Sequence, residues 1–448
     1  MIPTTLAKKP TIQYFWTVVL LVIGFSILLK LPSFNMKHVD GDELRFWYLA
    51  KNWEVTGDYT LQGSPLFRLL PNYAPYYAHR KMPVHPPLFV ALLRPFISYE
   101  FAQYENIPQH LDMEKVEAIY AKIAPRYAVI ASWIGHLLAI LAVALMGRYL
   151  LIYHQLSLSA LSPLFWLPLL GMATDPIMMW VSTKIWIDNL HAGLAALAVV
   201  FTMIASSSRH SHITYFLAGV MLGLALLAKI TAAIILPVII FIIFIHETDF
   251  KKRMQALFIG IIPVLILALP WYIPRYLTTT AGISAIPNPY AGTCEFCNVL
   301  NTRPFYYFLL KLPLIAPLVL VGFSFYIIFF FNYVKQLTIT DNLRFFIPMI
   351  WGVFVLTAVT LYLSLSYGSF IMRRLTLLIP SLYVMFYMLI IYSEKVRSLR
   401  KYQQPLLFLG GISIVYAAIS GGIYLLHDEG PAEFFSLAEL TDMINLLD

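Results

Sequence analysis

Charge is scarce in this sequence. Lys, Arg, Asp and Glu make up 12% of its 448 residues, about half the roughly 25% of a soluble domain. With 60% hydrophobic residues and a mean hydropathy of +0.74, that scarcity excludes an ordinary soluble globular protein. Strand-like alternation is lacking too. The apolar runs are long and continuous, which excludes a membrane barrel and leaves helices as the spanning elements. Cysteine is almost absent: Cys294 and Cys297 form a single C-x-x-C. Zinc would need further ligands nearby, and a thioredoxin-like site would need a βαβ context. The pair is expected to form a local disulfide on an oxidising outer face. The sequence also has no low-complexity segment, no convincing repeat and no Asn-x-Ser/Thr sequon. The net charge of +8 points to no nucleic-acid partner, because the cations sit mostly in short loops.

What is present is a series of spans. The sequence predicts an all-α polytopic membrane protein, a single integral domain over 1–448 with about eleven transmembrane helices. Their expected limits are 12–31, 123–147, 157–173, 188–205, 213–228, 230–246, 256–273, 305–331, 345–366, 375–392 and 405–426. The first follows Lys8, Lys9 and Pro10, is long enough to cross, and lacks a small-residue cleavage site after it, so no cleavable signal peptide is expected. Basic residues set the orientation. Arg148, Arg209, Lys251-Lys252-Arg253, Lys335, Arg344, Lys395, Arg397, Arg400 and Lys401 fall in alternate loops, while the segment 427–448 has no Lys or Arg. This places the N-terminus in the cytoplasm and the C-terminus outside, in a cell (inner or plasma) membrane. The long loop 32–122, the second loop 274–304 and the short tail 427–448 then face outward.

The first outer loop holds the most suggestive stretch. Asp40, Asp42 and Glu43 crowd the start of a helical pattern in which Phe46, Leu49, Ala50 and Trp53 form one apolar stripe. Such a helix is expected to lie along the membrane surface. Asp40 and Glu43 have capping-box spacing, so a helix start alone could explain them. Arg45 follows Asp42 by about one turn and could share a pocket with it. Arg80, Lys81 and His85 precede a second interfacial or re-entrant helix, from Pro86 to Ile97, with prolines in its first turn. His85 could ligate a metal, shuttle a proton or simply start that helix.

Further along, Lys229 sits in an apolar turn, where it could snorkel or reach an anion. Asp175 and Asp188 bracket an outer connection, and Asp188 could cap the span it opens. Arg373-Arg374 interrupts two spans on the outer side, against the charge bias. A lipid phosphate would compensate, as would ordinary headgroup anchoring. Carboxylates and cations around a membrane-level cavity suit transfer of a sugar from a polyprenyl phosphate. The acceptor needs a base and the leaving phosphate needs cations. Asp42, Glu43 and His85 could also hold a divalent cation, with Asp40 nearby; no other cofactor is indicated.

The ordered set of motifs resembles the C-type (GT-C) membrane glycosyltransferases, in particular family 39, which includes protein O-mannosyltransferases and the lipid A aminoarabinose transferase. Asp42-Glu43-Leu44-Arg45, then Tyr48, Ala50 and Gly57-Asp58, is similar to the family's first-loop acidic motif and helix. His85-Pro86-Pro87-Leu88, Pro125-Arg126, Gly147-Arg148, Asp188 in WIDNLHAGLAAL, Lys229 in AGVMLGLALLAKITA, Pro270-Trp271-Tyr272 and Arg373-Arg374-Leu375 follow in the family's order. The resemblance implies that Asp42 is the catalytic base and that Glu43 assists it or helps hold a cation. It implies that Arg45, Lys81, Lys229, Arg373 and Arg374 surround the donor phosphate. Asp40, His85, Arg126 and Asp188 are further pocket candidates. The expected partners are a polyprenyl-phosphate-linked sugar, a protein, lipid or glycan acceptor, and the bilayer. No counterpart of the large soluble C-terminal domain of some relatives is expected, and the C-x-x-C loop matches no family feature. A transporter or flippase, or a non-catalytic binder of a lipid-linked sugar, is the competing expectation. Transporters place charges near the midplane and use repeats, whereas these charges lie at the outer boundary.

Overall fold

The computed structural model describes residues 14–35, 41–59, 85–97, 115, 126–153, 162–206, 211–247, 249–280, 324, 347–355, 358, 372–395 and 397–427. Most of these residues are helical, with no strand among them. The helices are α1 (Phe15–Lys30), α2 (Gly41–Thr56), α3 (Pro87–Leu93), α4 (Ile130–Tyr153), α5 (Pro163–Ala173), α6 (Pro176–Ser182), α7 (Asp188–Ala205), α8 (Ser211–Ala228), α9 (Leu236–His246), α10 (Phe250–Thr280), α11 (Ile379–Lys395) and α12 (Gln403–His427). Among the described residues six helices are long and apolar enough to cross a membrane, or seven if a bent pair counts as one span. The chain is a multi-pass membrane protein. Of the eleven expected spans, all of 305–331 except residue 324 and most of 345–366 lie outside the described residues, as do Cys294, Cys297 and the tail beyond 427.

α7 is the axis of the bundle. It packs against α4 on one side and α8 on the other, and α8 packs in turn against α10. Of the α7 span, 89% is buried, against 17% for α10 and 22% for the span in α12, so α10 and α12 face outward. Close packing at α7 depends on glycine. A Cβ on Gly193 would lie 2.2 Å from the Gly135 carbonyl oxygen, and one on Gly135 would lie 2.1 Å from the Leu190 nitrogen. The two backbones touch because neither carries a side chain there. Lipid tails are as apolar as leucine, so such van der Waals fit is what drives membrane helices together. Gly147 plays the same part for α11: a Cβ would meet the Tyr387 ring at 2.6 Å. Tyr387 is buried there, its hydroxyl donating to the Phe165 carbonyl at 2.6 Å.

The structure departs from the sequence reading at several points. The connection expected at 174–187 contains a helix, α6, bent 44° from α5. Asp175-Pro176 makes the break. A residue before proline is pushed toward extended backbone, and Asp175 has φ −54° and ψ 122°. Its carboxylate then caps α6 by accepting from the Met178 N–H at 3.0 Å. The basic run Lys251-Lys252-Arg253, expected in a loop, lies in the first turn of α10. α2 is not one-sided: Phe46, Trp47, Tyr48, Leu49, Ala50 and Lys51 are all buried, so most of the stripe expected along the membrane surface is enclosed by protein, with Trp53 half-buried. The helix start expected at Pro86 is as read, with α3 opening at Pro87 after extended Pro86.

The glycine contact gives the first prediction. Gly193→Leu should lower thermal stability and folded yield, by ~1–3 kcal/mol or more of overpacking. Gly24→Leu, whose position has nothing within 4 Å, should leave both unchanged. Unfolding of the two purified variants by differential scanning fluorimetry in detergent distinguishes them.

Candidate functional site

The site is built around a short stretch between α6 and α7. After Ser182 the chain leaves the helix while still inside the protein, and Ile185, Trp186 and Ile187 are all buried. Non-helical backbone at such a depth is tolerated only if its polar groups are satisfied by protein. Here they are. The Ile185 N–H donates to Glu43 Oε1 at 2.7 Å. The Ser132 hydroxyl lies 2.6 Å from the Lys184 carbonyl oxygen and 2.8 Å from that of Trp186, and it accepts from the Trp186 N–H at 3.0 Å. Trp133 Nε1 donates to the Ser182 carbonyl at 2.9 Å. α2 and α4 thus clamp the stretch from two directions.

Asp188 ends this stretch and starts α7. The position before it, Ile187, is the N-cap and makes no side-chain cap, so Asp188 is not the capping residue. Its carboxylate, 3% exposed, pairs with Lys229 Nζ at 2.5 Å. Lys229 lies where α8 stops. It adopts φ −155° and ψ 131° and begins the 3₁₀ turn Ile230–Ile235. The lysine therefore turns inward to Asp188 rather than snorkelling along the bundle. The Asp188 carbonyl accepts from Thr376 Oγ1 at 3.2 Å. Thr376 belongs to the 3₁₀ turn Met372–Leu377, which also carries Arg373 and Arg374.

Four distant segments consequently meet at one end of the bundle: α2 with Glu43, the start of α7, Lys229 after α8, and the turn 372–377. His85 stands there as well, because its ring packs 4.8 Å from that of Phe46, and α3 lies against both α2 and α8. Tyr59 donates to the His85 carbonyl at 2.9 Å. Arg45, half-buried, is on α2 two residues after Glu43. The backbones of Asp42, Arg126, Arg373 and Arg374 are described, but their side chains lie outside the described residues, as Asp40 and Lys81 do entirely. Among the described residues, no three His, Cys, Asp or Glu side chains gather to hold a metal ion. Glu43, one member of the expected cation set, spends Oε1 on the Ile185 N–H.

Sequence reasoning missed the supports of this site. Ser132, Trp133 and Thr376 carry no motif, and their roles come from facing one loop. A second buried polar group lies deeper. Tyr383 donates to Asp175 at 3.0 Å, His136 contacts the Met172 carbonyl at 2.8 Å, and Asn189 donates to the Met178 carbonyl and to Ser182 Oγ. These contacts hold the α5–α6 bend on which the stretch 183–187 depends.

Breaking a buried ion pair from one side leaves the other charge stranded, at about 3–5 kcal/mol, whereas removing both ends is far milder. Lys229→Met and Asp188→Asn should each lower the unfolding midpoint, and the double variant should recover most of the loss. A double-mutant cycle on purified protein measures this. Additive losses would mean that the pair carries no coupling.

No protein-family model and no curated protein matches the chain. Solved structures do. Two structures of ArnT from Cupriavidus metallidurans, one bound to undecaprenyl phosphate and one apo, superpose with TM-scores of 0.54 at 13% and 14% identity. They cover 92% of this chain and 77% and 76% of theirs. The archaeal oligosaccharyltransferase AglB from Archaeoglobus fulgidus, with an inhibitory peptide and a dolichol-phosphate, gives a TM-score of 0.50 at 12% identity. That match covers 97% of this chain but only 60% of AglB. Taken with the clamp at one end of the bundle, these likenesses show that the chain has the fold of the C-type (GT-C) membrane glycosyltransferases.

Proposed function

We propose that the protein is a glycosyltransferase that moves a sugar from a polyprenyl-phosphate donor to an acceptor on the outer face of a cell membrane. The observation that carries this is the meeting at Ile185 to Asp188. Glu43 from the acidic stretch and Lys229 from the middle of the chain both fasten to these four residues, and the turn bearing Arg373 and Arg374 is tied to Asp188 as well. Acids and cations widely separated in sequence are gathered at one end, as the transfer requires. The fold adds support, because the ArnT structure holds undecaprenyl phosphate and the AglB structure a dolichol-phosphate.

In this reading, Asp42 removes the acceptor's proton. The acceptor oxygen or nitrogen then bonds to the anomeric carbon as the bond from that carbon to the phosphate oxygen breaks, and the electron pair leaves on the polyprenyl phosphate. Cations fixed in advance around that phosphate stabilise the charge as it develops. Asp188 and Lys229 are neutral as a pair. The net positive charge met by the leaving group therefore comes from Arg45, Lys81, Arg373 and Arg374, with Lys229 acting as an oriented donor. Glu43, fully buried and committed to Ile185, serves as a positioning residue. The distribution of basic residues supports the orientation in which this end of the bundle faces outside and the N-terminus lies inside.

Two variants test the reading. Asp42→Asn should abolish transfer from a polyprenyl-phosphate sugar while leaving binding of that donor within about twofold, a difference well under 1.4 kcal/mol. Undiminished transfer would remove Asp42 from the role of base. Arg373→Ala combined with Arg374→Ala should raise the donor KM by about tenfold or more with folded yield retained. An equal loss of yield and activity would assign the arginines to membrane anchoring.

A further inference from the structure

At the opposite end of the bundle lies a second arrangement that the transfer reaction does not use. α7 and α8 run antiparallel, so the last turn of α7 and the first turn of α8 are about 27 Å from the Asp188–Lys229 pair at ~1.5 Å of rise per residue. Beside these helix ends is a polar pocket of about 330 Å³, lined by Ser206, Ser211, His212, Glu247, Lys252 and Gln255 among others. It adjoins an apolar cavity of about 780 Å³ between α8, α9 and α10, and Tyr215, Gln255 and Ala256 line both. That size falls within the roughly 300–1,000 Å³ of ligand sites. Tyr215 marks the boundary. It is buried, and its hydroxyl donates to Glu247 Oε1 at 3.0 Å on the polar side. Arg253 Nε holds the Glu247 carbonyl at 2.5 Å, which fixes the backbone of that wall. The apolar cavity is lined almost entirely by side chains such as Leu222, Ile239, Ile243, Val264 and Leu265.

A polar end joined to an apolar body is the shape of an amphiphile. Charge selects which one. Among the described residues the polar end presents one cation, Lys252, and one anion, Glu247, a pair that neither a simple anion nor a simple cation matches. A headgroup carrying both signs is matched. Its phosphate would face Lys252 and the first turn of α8, whose N-terminal N–H groups and dipole favour negative charge. Its ammonium would face Glu247. From these observations we propose that this slot is a binding site for a membrane phospholipid with a primary ammonium–phosphate headgroup, seated with its acyl chains between α8, α9 and α10. The proposal is independent of the transfer reaction and of its donor.

The test uses the full chain purified in detergent, with bound lipid counted by native mass spectrometry and stability followed by thermal shift. Dioleoyl phosphatidylethanolamine should be retained as a single copy and should raise the unfolding midpoint. It should half-saturate about tenfold below dioleoyl phosphatidylglycerol. Glu247→Gln should remove that preference while phosphatidylglycerol binding persists, and Lys252→Gln, at an exposed position, should weaken both lipids. Ile240→Trp, also at an exposed position of the cavity wall, should reduce lipid retention. Three results would overturn the proposal: equal retention of the two lipids, full stabilisation by soluble phosphoethanolamine alone, or displacement of phosphatidylethanolamine by undecaprenyl phosphate. The last would assign the apolar cavity to the donor's tail. The lipid comparison on the unaltered chain decides the matter even if a variant fails to fold.

Discussion

Five residues of irregular backbone, Thr183 to Ile187, buried inside an apolar bundle, set the constraint on which the rest of the structure depends. A helix satisfies its own backbone; this stretch cannot. Each unpaired N–H or carbonyl there would cost on the order of 1–3 kcal/mol, and no lipid could supply a partner. The solution recruits Glu43 from α2 and Ser132 and Trp133 from α4. Those partners draw the acidic first-loop helix down into the protein, which is why α2 is enclosed through 46–51 rather than resting on the surface.

The same constraint orders the charges. Asp188, the first residue after the irregular stretch, is buried and must be paired, and Lys229 is the cation that reaches it. Burying that pair is not in itself strongly stabilising, since desolvation offsets much of the attraction. What it confers is specificity of arrangement: α8 must end where it does so that its next residue can turn inward. Thr376, bonded to the Asp188 carbonyl, brings in the turn 372–377 in the same way. A polar requirement of a few residues thereby sets where four distant segments meet. The opposite end of α7 and α8 obeys a looser rule, because polar groups there lie at the helix ends, and among the described residues its pocket holds one charge of each sign, Lys252 and Glu247.

Much of the helical plan could be read directly. Expected span 188–205 coincides with α7, and 213–228 and 375–392 lie within a few residues of α8 and α11. Apolar length and proline at helix starts are local signals. Kinks were harder. Asp175-Pro176 carries its own signal, yet the segment after it looked like a connection, because a seven-residue helix is too short to register as a span. The early acids, Lys229 and Arg373-Arg374 stood out as costly charges beside apolar runs. Ser132, Trp133 and Thr376 did not, because a hydroxyl or an indole in an apolar helix looks the same whether or not it faces a loop.

Composition and periodicity alone determined that this chain lives in a membrane, that it crosses as helices, and which of its few charges needed explaining. Those properties follow from free energies of transfer, which are sums over neighbouring residues. Tertiary structure alone decided that Glu43 holds Ile185, that Asp188 answers Lys229, and that a second slot opens at the far end of α8. Those are pairings between residues far apart in the chain, and nothing in local sequence encodes which distant donor will reach a given buried acceptor.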